Sequence, residues 1–309
     1  MSLLHISNLD IGFHLKGRSV TVVDGIELEL ARGERATIIG ESGCGKSLIA
    51  MALLGILPSN ATVRGSIYFG SQLLTELDKT ALRRIRATRI GYVPQSAATC
   101  LNPVFRFETQ AREVLHAGNG LATTPASVSK ILARVGLVPA VARMYPHQLS
   151  EGMKGRALVG LGTCRQPELL VADEPTKGLD NDAKADLVAL LRNLAGNGTR
   201  SLFLITHDLD VARALPGKLA VMYAGHFVEI APSHTILEET PLHPYTKGLL
   251  RSHPSNGLHP MPGRAPEALH RPTGCRFVNR CARADAGCMR QPPSFRQIAA
   301  DHWVRCHHV

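Results

Sequence analysis

The run Gly40-Glu41-Ser42-Gly43-Cys44-Gly45-Lys46-Ser47 fits the pattern of a glycine, four free positions and then Gly-Lys-Ser. It stands between a short apolar run, Arg35 to Gly40, and an apolar helical run, Lys46 to Leu57. Strand, glycine-rich loop and helix in that order curl the backbone so that its N–H groups converge on phosphate, with the helix N-terminus facing the same charge. The pattern predicts an α/β domain in which Gly40 to Leu48 cradle a nucleotide. Lys46 is expected to reach its outer phosphates and Ser47 to hold Mg2+. Cys44 fits the wrap as a small residue.

An acidic partner for this loop is equally legible. Four apolar residues, Leu169 to Ala172, lead into Asp173-Glu174, which places both carboxylates at the C-terminal end of a buried strand. Buried acids are costly unless matched to a metal or to hydrogen-bond donors. Asp173 is expected to orient hydrated magnesium, and Glu174 to polarise or deprotonate an attacking water. A second apolar strand ends in Thr206-His207-Asp208, where His207 is placed to sense the outermost phosphate. Loop, acids and histidine together predict hydrolysis of ATP.

Alternation predicts strands over residues 3–13 and 20–30, with a turn at Lys16-Gly17-Arg18. Further strands fall at 65–70, 90–95, 168–173, 201–208 and in the pair 219–231. Helices are expected at 77–87, 152–163, 181–195 and 209–215. Residues 106–145 carry helical spacing with little strand character, so a helical subdomain is expected over about 106–163. After Pro241, the prolines at 254, 260, 262, 266 and 272 interrupt any long element. The reading is a nucleotide-binding domain over 1–235 and a loop-rich appendage over 236–309.

A hydrophobic content of 44% with 19% charged residues excludes a disordered chain. The net charge of +10 is spread along the sequence without interleaved aromatics, so no nucleic-acid partner is expected. The longest uncharged stretch, Ser47 to Val63, contains Pro58, Ser59 and Asn60 and reads as the buried helix behind the loop. No basic region precedes a long apolar one near Met1, which predicts a soluble, cytoplasmic chain, a reading compatible with docking on a membrane protein.

Cys44, Cys100 and Cys164 are isolated, whereas Cys275, Cys281, Cys288 and Cys306 crowd the end of the chain with five, six and seventeen residues between them. Four soft donors suit a structural zinc or a 4Fe-4S cluster, and unmetallated thiols remain a third reading. His302, His307 and His308 keep a mixed zinc site open.

These motifs resemble the nucleotide-binding subunits of ATP-binding-cassette transporters, and over nearly the full length the ATPases of dipeptide, oligopeptide and nickel importers. "GYVPQ" ending at Gln95 and "LSEGM" from Leu149 to Met153 carry the broader likeness, and the narrower one is carried by "LNPVF" from Leu101 to Phe105, "HPYTKGLL" from His243 to Leu250, and the cysteine tail. The resemblance implies a P-loop cassette fold with a helical insertion. It implies that Phe13 stacks on adenine and that Gln95 links magnesium, the attacking water and the coupling surface. Ser150, Gly152 and Asp180 would complete an ATP site in a second, homologous ATPase subunit, and the four cysteines would hold a 4Fe-4S cluster. The implied partners are that second ATPase, two membrane permease subunits and, indirectly, an external substrate-binding protein. The implied place is the cytoplasmic face of the cell membrane, and the implied cargo is short peptides, with nickel or a metal chelate as the alternative.

The sequence departs from the family pattern where Glu151 replaces a glycine, where Lys154-Gly155-Arg156 replaces Arg-Gln-Arg, and where Gly178 replaces an alanine beside Lys177. The resemblance implies a heterodimer of two similar ATPases, and Glu151 predicts that the site completed by Ser150 turns over less well than the site containing Lys46. A cassette ATPase of DNA repair or translation is expected to carry a coiled-coil insertion or a second cassette. Intact Lys46, Asp173, Glu174 and His207 argue against a silent scaffold.

Overall fold

The computed structural model describes residues 2–15, 17–117, 124–196, 198 and 200–309. Lys16 of the expected turn, and 118–123 of the expected helical subdomain, lie outside the described residues. In chain order the first elements are β1 (Ser2–Leu15), β2 (Arg18–Ala31), β3 (Arg35–Ile39), α1 (Lys46–Leu54), β4 (Ala61–Phe69), β5 (Gln72–Leu73), α2 (Lys79–Thr88) and β6 (Ile90–Val93). They are followed by α3 (Ala97–Cys100), α4 (Phe107–His116), α5 (Pro125–Arg134), α6 (Glu151–Thr163), β7 (Leu169–Asp173), α7 (Asn181–Ala195) and β8 (Ser201–Ile205). The last are α8 (Leu209–Ala214), β9 (Lys218–Tyr223), β10 (His226–Pro232), α9 (Pro244–Arg251), α10 (Ala286–Arg290), β11 (Arg296–Ala299) and β12 (His302–Val304). The fold is mixed α/β, as expected.

One compact unit takes in Met1–Ala31, Arg35–Glu76 and Ile205–Val309. Its antiparallel sheet runs β2-β1-β4-β5, with Leu4 opposite Phe69 and Ile6 opposite Ile67. Leu4 and Ile6, then Leu9 and Ile11, are completely buried as two period-two runs, and the register shift between Ile6 and Leu9, with Asn8 at φ 47°, changes the phase so that both runs face inward. The remaining strands of this unit run β11-β12-β10-β9-β3. β3 and β9 pair in parallel, with Ile38 opposite Ala220, and β10 pairs antiparallel with both β9 and β12.

The expected appendage does not stand apart. Tyr245, Leu250 and Phe277 share one buried cluster with Ile39, Val221 and Tyr223, and Cys275 and Cys281 pack against it. Glu229 of β10, fully buried, accepts hydrogen bonds from Leu242 N (2.7 Å) and His243 N (3.0 Å) and pairs with His302 of β12 (2.9 Å). A buried carboxylate with three partners ties the tail down, because removing any of them leaves a charge or donor unsatisfied in the interior.

The second unit comprises Arg32–Glu34 and Leu77–Leu204. Its strands run β8-β7-β6, and β6 and β7 are parallel with Val93 opposite Ala172. All of β7 is buried, as a central parallel strand requires. Glu168, just before β7, pairs with Arg32 and with Arg89 (2.5 Å). No helix among the described residues is long and apolar enough to cross a membrane.

Candidate functional site

In the first unit the loop after β3 is shaped by close backbone approach. Gly40 has φ 155°, and a Cβ there would lie 2.2 Å from Met222 O of β9, so only glycine fits. Cys44 N donates to Glu41 O (3.3 Å) and Leu48 N to Gly45 O (3.1 Å), closing the wrap that enters α1. Ser42 and Gly43 are exposed at its crest, while Cys44 and Lys46 are buried. Lys46 Nζ donates to Gly40 O (2.8 Å) and Glu41 O (3.0 Å), so its charge lies inside the loop. Burial is the main cause that pushes the Cys44 thiol up, which leaves it a small neutral wedge. Thr206 N donates to Ile38 O (3.0 Å), which aligns the residue before His207 with the strand that feeds the loop. His207 itself is exposed. Phe13 lies half-buried on β1, between Val20 of β2 and Ala61 of β4.

In the second unit the parallel pairing of β6 and β7 carries Gln95 and Asp173-Glu174 to the C-terminal ends of neighbouring strands, where open α/β sheets bind ligands. Asp173 is 2% and Glu174 7% exposed, and Glu174 sits in the left-handed region at φ 47°. A non-glycine residue held there costs about 1–3 kcal/mol and marks a position that the surrounding structure enforces. Ser150 caps α6 by accepting from Met153 N (3.2 Å), and Asp180 caps α7 by accepting from Ala183 N (2.8 Å). The two caps belong together: a Cβ on Gly152 would lie 2.8 Å from Ala183 Cβ, so the start of α6 presses on the start of α7. Glu151 turns to Lys154, and their charged ends are 2.6 Å apart.

The four C-terminal cysteines lie in the first unit and act on one another electrostatically. The Cys275 thiol is pushed up to about 11, chiefly by burial, with the charges of Cys288, Cys306 and Cys281 adding to it. Burial and neighbouring charge both disfavour the Cys275 thiolate, a cost that a bound cation would offset. Of the three nearby histidines, His308 alone meets a cysteine among the described contacts, its Nε2 3.5 Å from Cys288 Sγ. The ligand atoms of Asp285, Cys288 and His308 lie within 4.8 Å of one another, a spacing for a single ion. His302 is committed to Glu229, and His307 to Gln291 O.

Sequence reading missed the residues that join this tail to the loop. Glu41 N donates to the Tyr245 hydroxyl (3.0 Å), and the Glu41 carboxylate accepts from Arg280 Nη1 (3.0 and 3.1 Å). Tyr245 stands within the quoted "HPY" run, but nothing in its spacing points to a partner more than two hundred residues earlier.

Comparison with known proteins gives family matches in both the N-terminal and the C-terminal part of the chain. Residues 23–177 match the family described as ABC transporter, and residues 228–288 match the oligopeptide/dipeptide transporter, C-terminal region. The dipeptide transport ATP-binding protein DppD of Bacillus subtilis is 36% identical, over 98% of this chain and 94% of its own length. The oligopeptide transport ATP-binding protein OppD of Haemophilus influenzae is 37% identical, over 94% and 92%. The solved ATP-binding cassette MJ0796, a dimer bound to ADP and phosphate, superposes with a TM-score of 0.66 at 23% identity, over 74% of this chain and 98% of its own, and so shares the fold.

Proposed function

This chain belongs to the ABC transporter family, in its oligopeptide/dipeptide transporter group, and from that premise we propose that it is the ATP-hydrolysing subunit that powers import of short peptides through a membrane permease. The observation that carries the reading is the pairing of an intact phosphate loop with a peptide-transporter C-terminal region in one compact unit. The names of the relatives above favour peptides over nickel as cargo.

Lys46 gives up its two loop carbonyls for β- and γ-phosphate oxygens, and the N–H groups of Gly43 to Leu48 turn toward the same charge. Ser47, Asp173 and Gln95 offer the hard oxygen donors that suit Mg2+, which when bound would neutralise charge between the two phosphates. Glu174 takes the proton of the attacking water, and His207 holds the γ-phosphate. Phe13 packs on the adenine ring. Ser150, Gly152 and Asp180 serve a site on a second, homologous ATPase, so closure of the pair on ATP and its release after hydrolysis drive the permease.

The permease contact falls on the Leu101 to Phe105 segment. Leu101 is buried, whereas Val104 and Phe105 are 70% and 41% exposed. Gln110 pins the segment, accepting from Asn102 N (2.9 Å) and donating to Asn102 O (3.1 Å) and Phe105 O (3.0 Å). Two apolar side chains on a pinned loop suit a protein contact. A permease contact on this surface implies a peripheral subunit at the cytoplasmic face of the membrane. The tail from about residue 236 holds a 4Fe-4S cluster on Cys275, Cys281, Cys288 and Cys306, with zinc on Asp285, Cys288 and His308 as the competing occupant.

Copurification with untagged partners tests the assignment. Two permeases and a second ATPase, with hydrolysis stimulated by peptide, are expected; ribosomes or DNA in their place would refute it.

A further inference from the structure

We propose that Arg280 and Tyr245 are positioning residues for ATP binding, holding Glu41 so that the phosphate loop keeps the shape that Lys46 and the loop amides need. The inference rests on the reading of Gly40 to Ser47 as the ATP site.

Glu41 is gripped at every polar group that it has. Its N–H donates to the Tyr245 hydroxyl (3.0 Å), its carbonyl accepts from Lys46 (3.0 Å), and its carboxylate accepts from Arg280. The clamp is itself rigid. Arg280 is 6% exposed at its side chain, donates through Nε to Pro262 O (2.8 Å) and lies over the rings of Tyr223 (5.7 Å) and Phe277 (5.9 Å). Tyr245 is fully buried against Tyr223 (4.5 Å between centroids) and Phe277 (5.6 Å). Burial and the negative charge of Glu41 hold its phenol well above the usual range, so it stays a neutral partner.

Lys46 shares Glu41 with this clamp. As Lys46 moves from the two carbonyls to phosphate, the carbonyl of Glu41 keeps only the longer bond from Cys44 N (3.3 Å), and Tyr245 and Arg280 hold the amide and carboxylate of Glu41 in place. A loop whose amides are held ready loses less freedom on binding, which shows as affinity. Arg280 is also set by the cysteines. It ends the turn Val278–Arg280, in which Val278 N donates to Cys275 O (3.0 Å) and Cys281 N to Val278 O (3.4 Å).

The test is ATP affinity of the full-length chain, measured with a fluorescent ATP analogue and Mg2+, alongside thermal stability. Arg280→Gln is expected to raise the dissociation constant about tenfold, as loss of a near-buried charge-assisted pair does. Tyr245→Phe is expected to raise it about threefold. Arg280→Lys should recover part of the loss, and Glu41→Gln combined with Arg280→Gln should be no worse than Arg280→Gln alone, with KM moving more than kcat. Variants that lose stability but bind ATP as tightly as the wild type would overturn the clamp and leave the ATP site standing. A wild-type chain that fails to bind ATP would overturn both.

Discussion

Glu151 and Lys154 form an ion pair at 2.6 Å across the first turn of α6, so the two departures from the signature pattern meet each other. Lys154 is 14% exposed and Glu151 52%, which makes the pair modest in energy. It engages the Glu151 carboxylate and offsets its charge. Lys154→Gln alone is expected to lower hydrolysis in the assembled complex about threefold, the worth of an ion pair of about 0.6 kcal/mol. Adding Glu151→Gly should restore it. Equal rates in all three proteins would show that the pair has no bearing on the signature.

Two buried histidines predict acid sensitivity. Burial is the first cause that lowers His243 to about 3, and burial also lowers His226 well below its ordinary value, with arginine charges adding. Both are neutral in the folded chain and take up protons only on unfolding below about pH 6.5. Their folded values are depressed, so stability is intact above pH 6.5 and falls as pH drops toward 3. Each should cost about 1 kcal/mol between pH 6.5 and 5.5. Urea midpoints at the two pH values check this, and His243→Asn should remove its share of the slope.

For the cysteine tail, anaerobically purified protein is expected to show broad visible absorbance with iron and sulfide in equal amounts, lost in Cys281→Ser. Zinc without sulfide, surviving in Cys281→Ser but lost in His308→Ala, would assign the site to Asp285, Cys288 and His308 instead.

The exposed pair Val104 and Phe105 predicts a docking defect. Replacing both by Asp should cut permease copurification at least about tenfold, because two apolar anchors exchanged for charges leave desolvated carboxylates at the contact. Circular dichroism should show the variant folded. Undiminished copurification would move the permease contact elsewhere.

How much could be read from sequence follows from what each feature demands. The loop, Asp173-Glu174 and the strands before them were legible because phosphate and magnesium chemistry fixes residue type and spacing at short range. The helix after the loop reads as running to Leu57, yet α1 ends at Leu54, because Gly55 takes a left-handed conformation at φ 60° and turns the chain. The hairpin of β11 and β12 gives no periodic signal over its few residues, and its place is set by β10, far earlier in the chain. The bond from Arg280 to Glu41 spans 239 positions, and no local pattern announces it. Glu151 reads as a liability in sequence because the direction of its side chain toward Lys154 is a property of the helix turn.

The central claim is that this chain hydrolyses ATP to drive peptide import. The direct measurement is ATP hydrolysis and peptide uptake by the assembled transporter in liposomes, with wild type compared with Lys46→Ala and Glu174→Gln. Wild type should hydrolyse ATP faster when peptide-loaded binding protein is present and should accumulate peptide. Lys46→Ala should lose ATP binding, and Glu174→Gln should bind ATP but turn over at least about a hundredfold more slowly. Hydrolysis that survives both substitutions, or that responds to nickel and not to peptide, would contradict the account.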